Sequence, residues 1–556
     1  MCIRDSSWGG FNALQLAALA PAPLKAIVTV CSTDDRYDND VHYLGGSPLA
    51  FYMNLWGSAL HLMNMRPPMA DEIGDDWLSE WKTRLAANTD MTSLWLAHPR
   101  RDAYWKQGSV GEDLGAITCP VLAVGGWADA YTDTVFRLLG DHEAPVHALI
   151  GPWGHTWPER PEPGPGIDFL AYCLRWWQRW LNDEPNGVED DPELLLYLQD
   201  YTDSREDLET RPGRWLAAPD HRALSRPAPF YLAPGGALER TAPAESVQVE
   251  VGHPTVGVNA RHYLPMGVST DLPPVQDEDD ERSIVFDGPP LEEAFSIAGR
   301  ASLEVRLSAD TPRAFLFVRI TDVDEQGHSH LVSRGSLNLT HRRGHGEHDV
   351  EPIVPGRVED YVIPIKSTAY RFGRGHRIRV ALSTSYWPWI WPSPEVTTLG
   401  IALGPSRLVL PELRPDGVTE LPDGALGDPV ISAPPAIRTF DDSSSHWTIA
   451  RGNGGTVEID KGTSGTALQI LPNGWTFGSL GDRTTWTLEG DDASTAEMTK
   501  RSRQLYRWRE HRVEIATATE MTGDADVFRV VTRSTAVLDG TTVWAEDVTH
   551  TIPRDL

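Results

Sequence analysis

The sequence predicts a multidomain chain, α/β in its first third and β-rich thereafter. Three observations carry this. At 556 residues the chain is longer than one ordinary core can serve. β-Branched or apolar runs at 26–30, 121–124 and 148–150 alternate with helical patterns, as in a parallel sheet covered by helices. From about residue 190, short alternating runs separated by Gly, Pro and Asp replace that texture.

Taken in order, Ala13, Leu14, Leu16, Ala17 and Leu19 predict a short helix over 9–20, closed by Pro21. Ala26-Ile27-Val28-Thr29-Val30 predicts a buried parallel strand. Residues 37–112 hold Trp56, Trp77, Trp81, Trp95 and Trp105 at helix-compatible spacing, as in Asp75–Ala87. They are expected to form a helical cap over the sheet's carboxyl edge. Val121–Val124, left by Gly125-Gly126, and Ala148–Ile150, left by Gly151-Pro152, predict two more strands. Phe169 to Leu181 reads as an amphipathic helix with Leu170, Leu174, Trp177 and Leu181 on one face. Ser302–Leu307, Phe315–Ile320 and Arg377–Ser383 alternate as in a sandwich or jelly roll. Past a turn-rich stretch at Pro411–Pro435, alternation resumes at Thr456–Ile459, Arg512–Ala516, Phe528–Thr532 and Thr541–Ala545. The expected domains are therefore 1–189 (α/β, with the 37–112 cap), 190–435 (β-sandwich) and 436–556 (β-rich extension).

Composition narrows the function classes. Lys+Arg 49 against Asp+Glu 79 gives a net charge of −30, which argues against nucleic acid or an anionic membrane as partner. No apolar run approaches the roughly 18 residues that span a bilayer. Cys2, Cys31, Cys119 and Cys173 lack the spacing of a disulfide framework or zinc site and are expected as free thiols. No cofactor is expected. His328, His330, His341, His345 and His348 cluster, but Arg342 and Arg343 oppose a cation, so a polar hairpin loop is the reading and no metal is expected. Trp387, Trp389 and Trp391 are expected to pack the sandwich against the α/β domain rather than to bind sugar. A homo-oligomer is left open. The compartment is not readable, with the cytoplasm favoured.

Chemistry is concentrated at three turns. Ser7-Trp8-Gly9-Gly10 precedes the first helix and reads as the second half of a nucleophile elbow, a strand-to-helix turn with serine at its apex. Asp129 follows the second predicted strand in Gly-Gly-Trp-Ala-Asp, and His155 follows the third in Gly-Pro-Trp-Gly-His. Parallel strands end on one edge of a sheet, so these three loops converge there. Serine, aspartate and histidine in that order are the nucleophile, orienter and base of an α/β-hydrolase.

These segments resemble the triad segments of the CocE/NonD hydrolases, relatives of cocaine esterase and the Xaa-Pro dipeptidyl-peptidases. Leu303–Leu307, Val332–Gly335, Gly375–Ile378, Ser385–Pro388 and Trp391–Pro394 resemble the β-sandwich that follows the hydrolase domain in that family. The resemblance covers roughly residues 7–410. It implies a galactose-binding-like jelly roll after a partial α/β-hydrolase fold. It also implies catalytic Ser7, Asp129 and His155, with the backbone N–H of Trp8 as an oxyanion donor. Trp56, Trp77 and Trp127 are candidate pocket walls. The expected substrate is a small-molecule ester or amide, or a peptide, cleaved through an acyl-serine. The rival reading is a non-enzymatic carbohydrate- or surface-binding sandwich protein.

The sequence departs from the family before Ser7. Asp5 stands where the elbow motif G-x-S-x-G has its first glycine. The early strands and a tyrosine oxyanion donor that precede the serine in cocaine-esterase-like enzymes are expected to be missing. Met1–Ser6, with Arg4 and Asp5, reads as no strand and is expected to be foreign sequence joined to a truncated frame. Ala26–Val30 would then be an exposed apolar edge and activity would be impaired.

Overall fold

A computed structural model describes residues 2–38, 40–140, 144–244, 247–252, 255–268, 270–431, 437–452 and 455–555. It divides into two compact units: residues 1–47, 100–386 and 397–431, and residues 48–99, 387–396 and 432–556.

The first unit contains a parallel sheet in the order Cys2–Ser6, Ala26–Val30, Val121–Gly126, Val146–Gly151, Leu194–Asp200. Gly213–Ala218 joins the far edge antiparallel. The pleat sends alternate residues to opposite faces. Ile27, Val121, Ala123, Ala148 and Ile150 share one core with Ala13, Leu14 and Ala17 of the helix Trp8–Ala18 and Val135 and Leu138 of the helix Thr132–Leu138. Ala26, Val28, Val30, Leu122, Val124 and Leu149 face Phe169, Cys173 and Trp176 of the helix Phe169–Asn182. Helices thus cover both faces, and the carboxyl edge is left to the loops that follow the strands.

Met1–Ser6 was to form no strand. Instead Cys2–Ser6 runs parallel to Ala26–Val30, from Cys2 beside Ala26 to Ser6 beside Val30, and all five residues of Ala26–Val30 are buried. The charges are tolerated because this strand pairs on one side only among the described residues. Arg4 lays its guanidinium over Trp157 (4.7 Å) and Phe169 (5.3 Å) and reaches Glu159 at 3.5 Å, while Asp5 is exposed. On the helix Phe169–Asn182, the buried face is Phe169, Cys173 and Trp176. Leu174 is 57% exposed and Leu181 37%. The aromatic stripe offers more apolar area than the leucine stripe and takes the core.

Residues 225–413 form the β-sandwich. Phe315–Val323 pairs with Ser329–Asn338 and with Arg377–Ser383, which pairs with Ile284–Asp287. Ser302–Ala309 pairs with Glu359–Pro364, Leu399–Ala402 and Arg407–Leu413. Inward side chains such as Leu303, Val305, Val318, Ile320, Val380 and Leu408 share one core. Tyr370 and Arg371 of the strand Thr368–Phe372 pair parallel with Gln199 and Asp200, which ties the sandwich to the parallel sheet.

The second unit is built on an antiparallel sheet of nine strands between Arg438 and Pro553. The predicted cap divides: its helices Ala50–Asn64, Trp77–Ala86 and Met91–Leu96 fall in this unit and pack on that sheet, while 37–47 and 100–112 group with the first unit. Trp81, Trp475 and Trp508 lie in the shared core. Trp387, Trp389 and Trp391 are all buried, but in this unit. Trp389 accepts the Phe51 N–H, and Trp391 donates its N–H to Pro48 and packs edge-on to Phe528 at 5.9 Å. No helix among the described residues is long and apolar enough to cross a membrane.

Candidate active site

Ser7 lies between the strand Cys2–Ser6 and the helix Trp8–Ala18 at φ 54°, ψ −124°. A non-glycine residue there costs on the order of 1–3 kcal/mol and persists only where its surroundings enforce it. Here they do. Ser7 N–H donates to Val30 (2.9 Å), and its carbonyl accepts from Phe11 N–H (2.9 Å) as the first acceptor of the helix. Helix and strands approach so closely that a Cβ on Gly10 would stand 3.0 Å from Ser32 Cβ and Thr29 Oγ1. A Cβ on Gly9 would meet the Asp5 carboxylate, so the family's first glycine is replaced by a side chain folded over the second. Trp8 is 56% exposed and stacks on Phe11 at 5.1 Å.

The register Ser6–Val30–Val124 and Gly126–Gly151 brings the strand ends to one edge. Asp129 there is fully buried, and its Oδ1 lies 3.1 Å from His155 Nδ1. Burial alone would raise the Asp129 pKa. The His155 ring and the Lys366 ammonium outweigh it and hold the carboxylate below its usual range. His155 is anchored by its N–H to Pro265 (2.6 Å) and by Tyr131, whose ring stands edge-on to the imidazole at 5.5 Å. Ala128 N–H donates to Trp153 (3.0 Å), and a Cβ on Gly126 would stand 2.1 Å from the same carbonyl. The two turns therefore interlock through glycine.

Several neighbours were not foreseen. Cys31 follows the strand Ala26–Val30 at φ 46°. Its Sγ, a carboxylate oxygen of Asp129 and a ring nitrogen of His155 lie within 4.8 Å of one another, a spacing that could hold a metal ion. Burial, followed by the Asp129 charge, raises the Cys31 thiol well above its usual pKa and keeps it protonated. Asp40 is buried and takes hydrogen bonds from Tyr131 Oη (3.1 Å) and Val41 N–H (2.7 Å); burial pushes it up to about 7. Lys366, from the sandwich, donates to the Asp129 carbonyl. Tyr131 and Cys31 had local signals, one two residues after Asp129 and the other at a strand end. Lys366 had none, standing 237 residues from its partner.

Other candidates lie elsewhere. Trp127 is 7% exposed within the sheet core, stacked near Phe136 at 6.2 Å, and its indole donates to Tyr197 (2.7 Å). Trp77 is buried edge-on to Trp508 at 5.1 Å in the second unit. Both are core residues, which corrects the expectation that they line a pocket: large apolar rings found more area to bury there. Trp56 is half-buried on the helix Ala50–Asn64. Cys119 and Cys173 are free and buried, and the side chain of Cys2 lies outside the described residues. His341, expected in a polar hairpin loop, is instead 2% exposed, with Nδ1 3.0 Å from His345 Nδ1. His330 pairs with Asp324 at 3.1 Å, and His328 with Asp277 at 2.8 Å.

Comparison with known proteins agrees with this architecture. Residues 4–157 match the family profile X-Pro dipeptidyl-peptidase (S15 family). Residues 186–411 match the X-Pro dipeptidyl-peptidase C-terminal non-catalytic domain. A Mycobacterium bovis protein named as a serine esterase is 23% identical over 345 residues, 56% of this chain and 52% of that protein. Cocaine esterase from a Rhodococcus species is 21% identical, over 52% of this chain and 53% of that enzyme. The chain thus spans about half the length of the curated relatives it matches. Among solved structures, a CocE/NonD family hydrolase from Staphylococcus aureus superposes with a TM-score of 0.53 at 16% identity, covering 74% of this chain and 71% of that one. An aminopeptidase from a marine sediment Thaumarchaeota archaeon gives 0.56 at 19% identity, covering 74% and 76%.

Proposed function

We propose that the chain, which matches the X-Pro dipeptidyl-peptidase (S15 family) profile and that family's C-terminal non-catalytic domain in order and carries the turn at Ser7, is a serine hydrolase acting through an acyl-serine. The observation that carries the reading is the φ of 54° at Ser7, on the sheet edge where Asp129 and His155 pair at 3.1 Å.

In this reading Ser7 Oγ attacks an ester or amide carbonyl. His155 Nδ1 is committed to Asp129, so Nε2 takes the serine proton and later returns it to the leaving group. Asp129, held as a carboxylate by His155 and Lys366 against the effect of its burial, keeps the imidazole oriented and stabilises its charged form. The N–H of Trp8, the residue after the nucleophile, donates to the oxyanion; donors of this kind are worth about 3–4 kcal/mol each. Water then releases the acyl group by the same steps in reverse order. The substrate is a small ester, amide or peptide, and cleavage after Xaa-Pro is the finer form of the proposal.

The test is turnover of p-nitrophenyl acetate and of an Xaa-Pro-p-nitroanilide by the purified chain and its Ser7→Ala and His155→Ala variants. Turnover of either substrate that both substitutions abolish supports the proposal. Turnover that survives Ser7→Ala refutes it.

A further inference from the structure

We propose that Lys366, carried by the β-sandwich domain, is a positioning residue of the hydrolytic site that holds the turn bearing Asp129 and supplies a positive charge beside the Asp129–His155 pair. The inference rests on the reading of Ser7, Asp129 and His155 as a catalytic set. It gives a domain whose family name calls it non-catalytic a direct hold on the catalytic turn.

Lys366 stands between the strands Glu359–Pro364 and Thr368–Phe372. Its ammonium donates to the carbonyl of Asp129, and the N–H of the next residue, Ser367, donates to Asp133 Oδ1 at 2.9 Å. Two adjacent sandwich residues therefore grip both ends of the segment 129–133. The segment's own bond, Thr132 Oγ1 to the same Asp129 carbonyl (2.9 Å), leaves room for this second donor.

The lysine is itself fixed. Its N–H donates to Arg334 (3.0 Å), and its carbonyl accepts from Ser333 Oγ (2.6 Å). A Cβ on Gly335 would stand 2.1 Å from the Pro364 carbonyl, so the turn presses against the neighbouring strand. A group placed by its own backbone in this way loses little freedom when it engages its partner.

The groups facing the ammonium are Asp129, Asp133, Cys31 and Arg334, with His155 behind Asp129 and Arg300 3.9 Å from Asp133. Burial draws the Lys366 pKa down to about 8, against the pull of the two aspartates. The lysine is thus charged at neutral pH and loses its charge in the range where serine hydrolases still work. Neutral Lys366 would weaken both the hold on the Asp129 carbonyl and the stabilisation of its carboxylate.

The experiment measures the rate at which a fluorophosphonate labels Ser7 in the full chain between pH 6 and 10, for wild type, Lys366→Met and Lys366→Arg, with Ser7→Ala as blank. The wild-type rate should fall through an alkaline step near pH 8. Lys366→Met should label at least about 10-fold more slowly at pH 7 and lack the step, the size expected for loosening one charge-assisted hydrogen bond. Lys366→Arg should recover most of the rate and keep it to higher pH, because arginine stays charged. Wild-type labelling by Lys366→Met with the alkaline step intact would overturn the proposal. So would Lys366→Arg labelling as slowly as Lys366→Met with an unchanged pH profile, the pattern of a purely structural residue. If Lys366→Met fails to fold, the pH profile of Lys366→Arg decides. Absence of Ser7 labelling in the wild type at every pH would overturn the underlying reading of the site, an outcome distinct from the others.

Discussion

Ser7, Asp129 and His155 each follow the end of a parallel strand, and glycines without room for a Cβ set how closely the turns approach. A Cβ on Gly126 would stand 2.1 Å from the Trp153 carbonyl. Gly126→Ala must move the backbone that leads to His155. It is expected to slow Ser7 labelling at least about 10-fold, since small displacements of catalytic groups are that costly. Asp40 supplies a pH signature. Its pKa is raised to about 7 in the folded chain, against about 3.9 when unfolded. The folded state therefore holds a proton that the unfolded state has lost, and this group's contribution to stability declines as pH rises from about 4 to 7, by roughly 1.4 kcal/mol per unit at most. Thermal unfolding of Asp40→Asn across that range should be less steep in pH than that of the wild type. Ser7, Asp129 and His155 stand out in the sequence because each has a local signature, a serine before Gly-Gly or an acid or imidazole just past an apolar run. Lys366 and Asp40 were not, because only tertiary packing brings them there.

Element by element, the parallel strands were readable because fully buried strands are written as unbroken β-branched or apolar runs, as at 26–30 and 121–124. Cys2–Ser6 was read as no strand because a doubly flanked strand would reject Arg4 and Asp5; paired on one side among the described residues, it can carry them. The helix Phe169–Asn182 carries two apolar stripes, and periodicity alone does not say which one the core takes. Substitution separates them. Trp176→Ala, at a site 2% exposed, should cost about 3–5 kcal/mol. Leu174→Ala, at a site 57% exposed, should stay within about 0.5 kcal/mol, as read by denaturant unfolding.

At the scale of the whole molecule, the two units do not follow the chain's linear order. Residues 48–99 were read as part of a cap over the α/β domain, yet they share a core with strands beyond residue 432. Sequence gave no warning, because a helix's apolar face does not name its partner. Trp508→Ala, which removes a ring stacked on Trp475 at 4.5 Å and edge-on to Trp77, should raise hydrogen exchange together in the helices of 50–97 and the strands of 476–553. The strands 26–30 and 121–126 should keep their protection in the same experiment. The proposed chemistry turns on Ser7. Fluorophosphonate treatment of the full chain at neutral pH, followed by peptide mapping, should place one adduct on Ser7 and none in Ser7→Ala. An unlabelled Ser7, or an adduct that persists in Ser7→Ala, would contradict it.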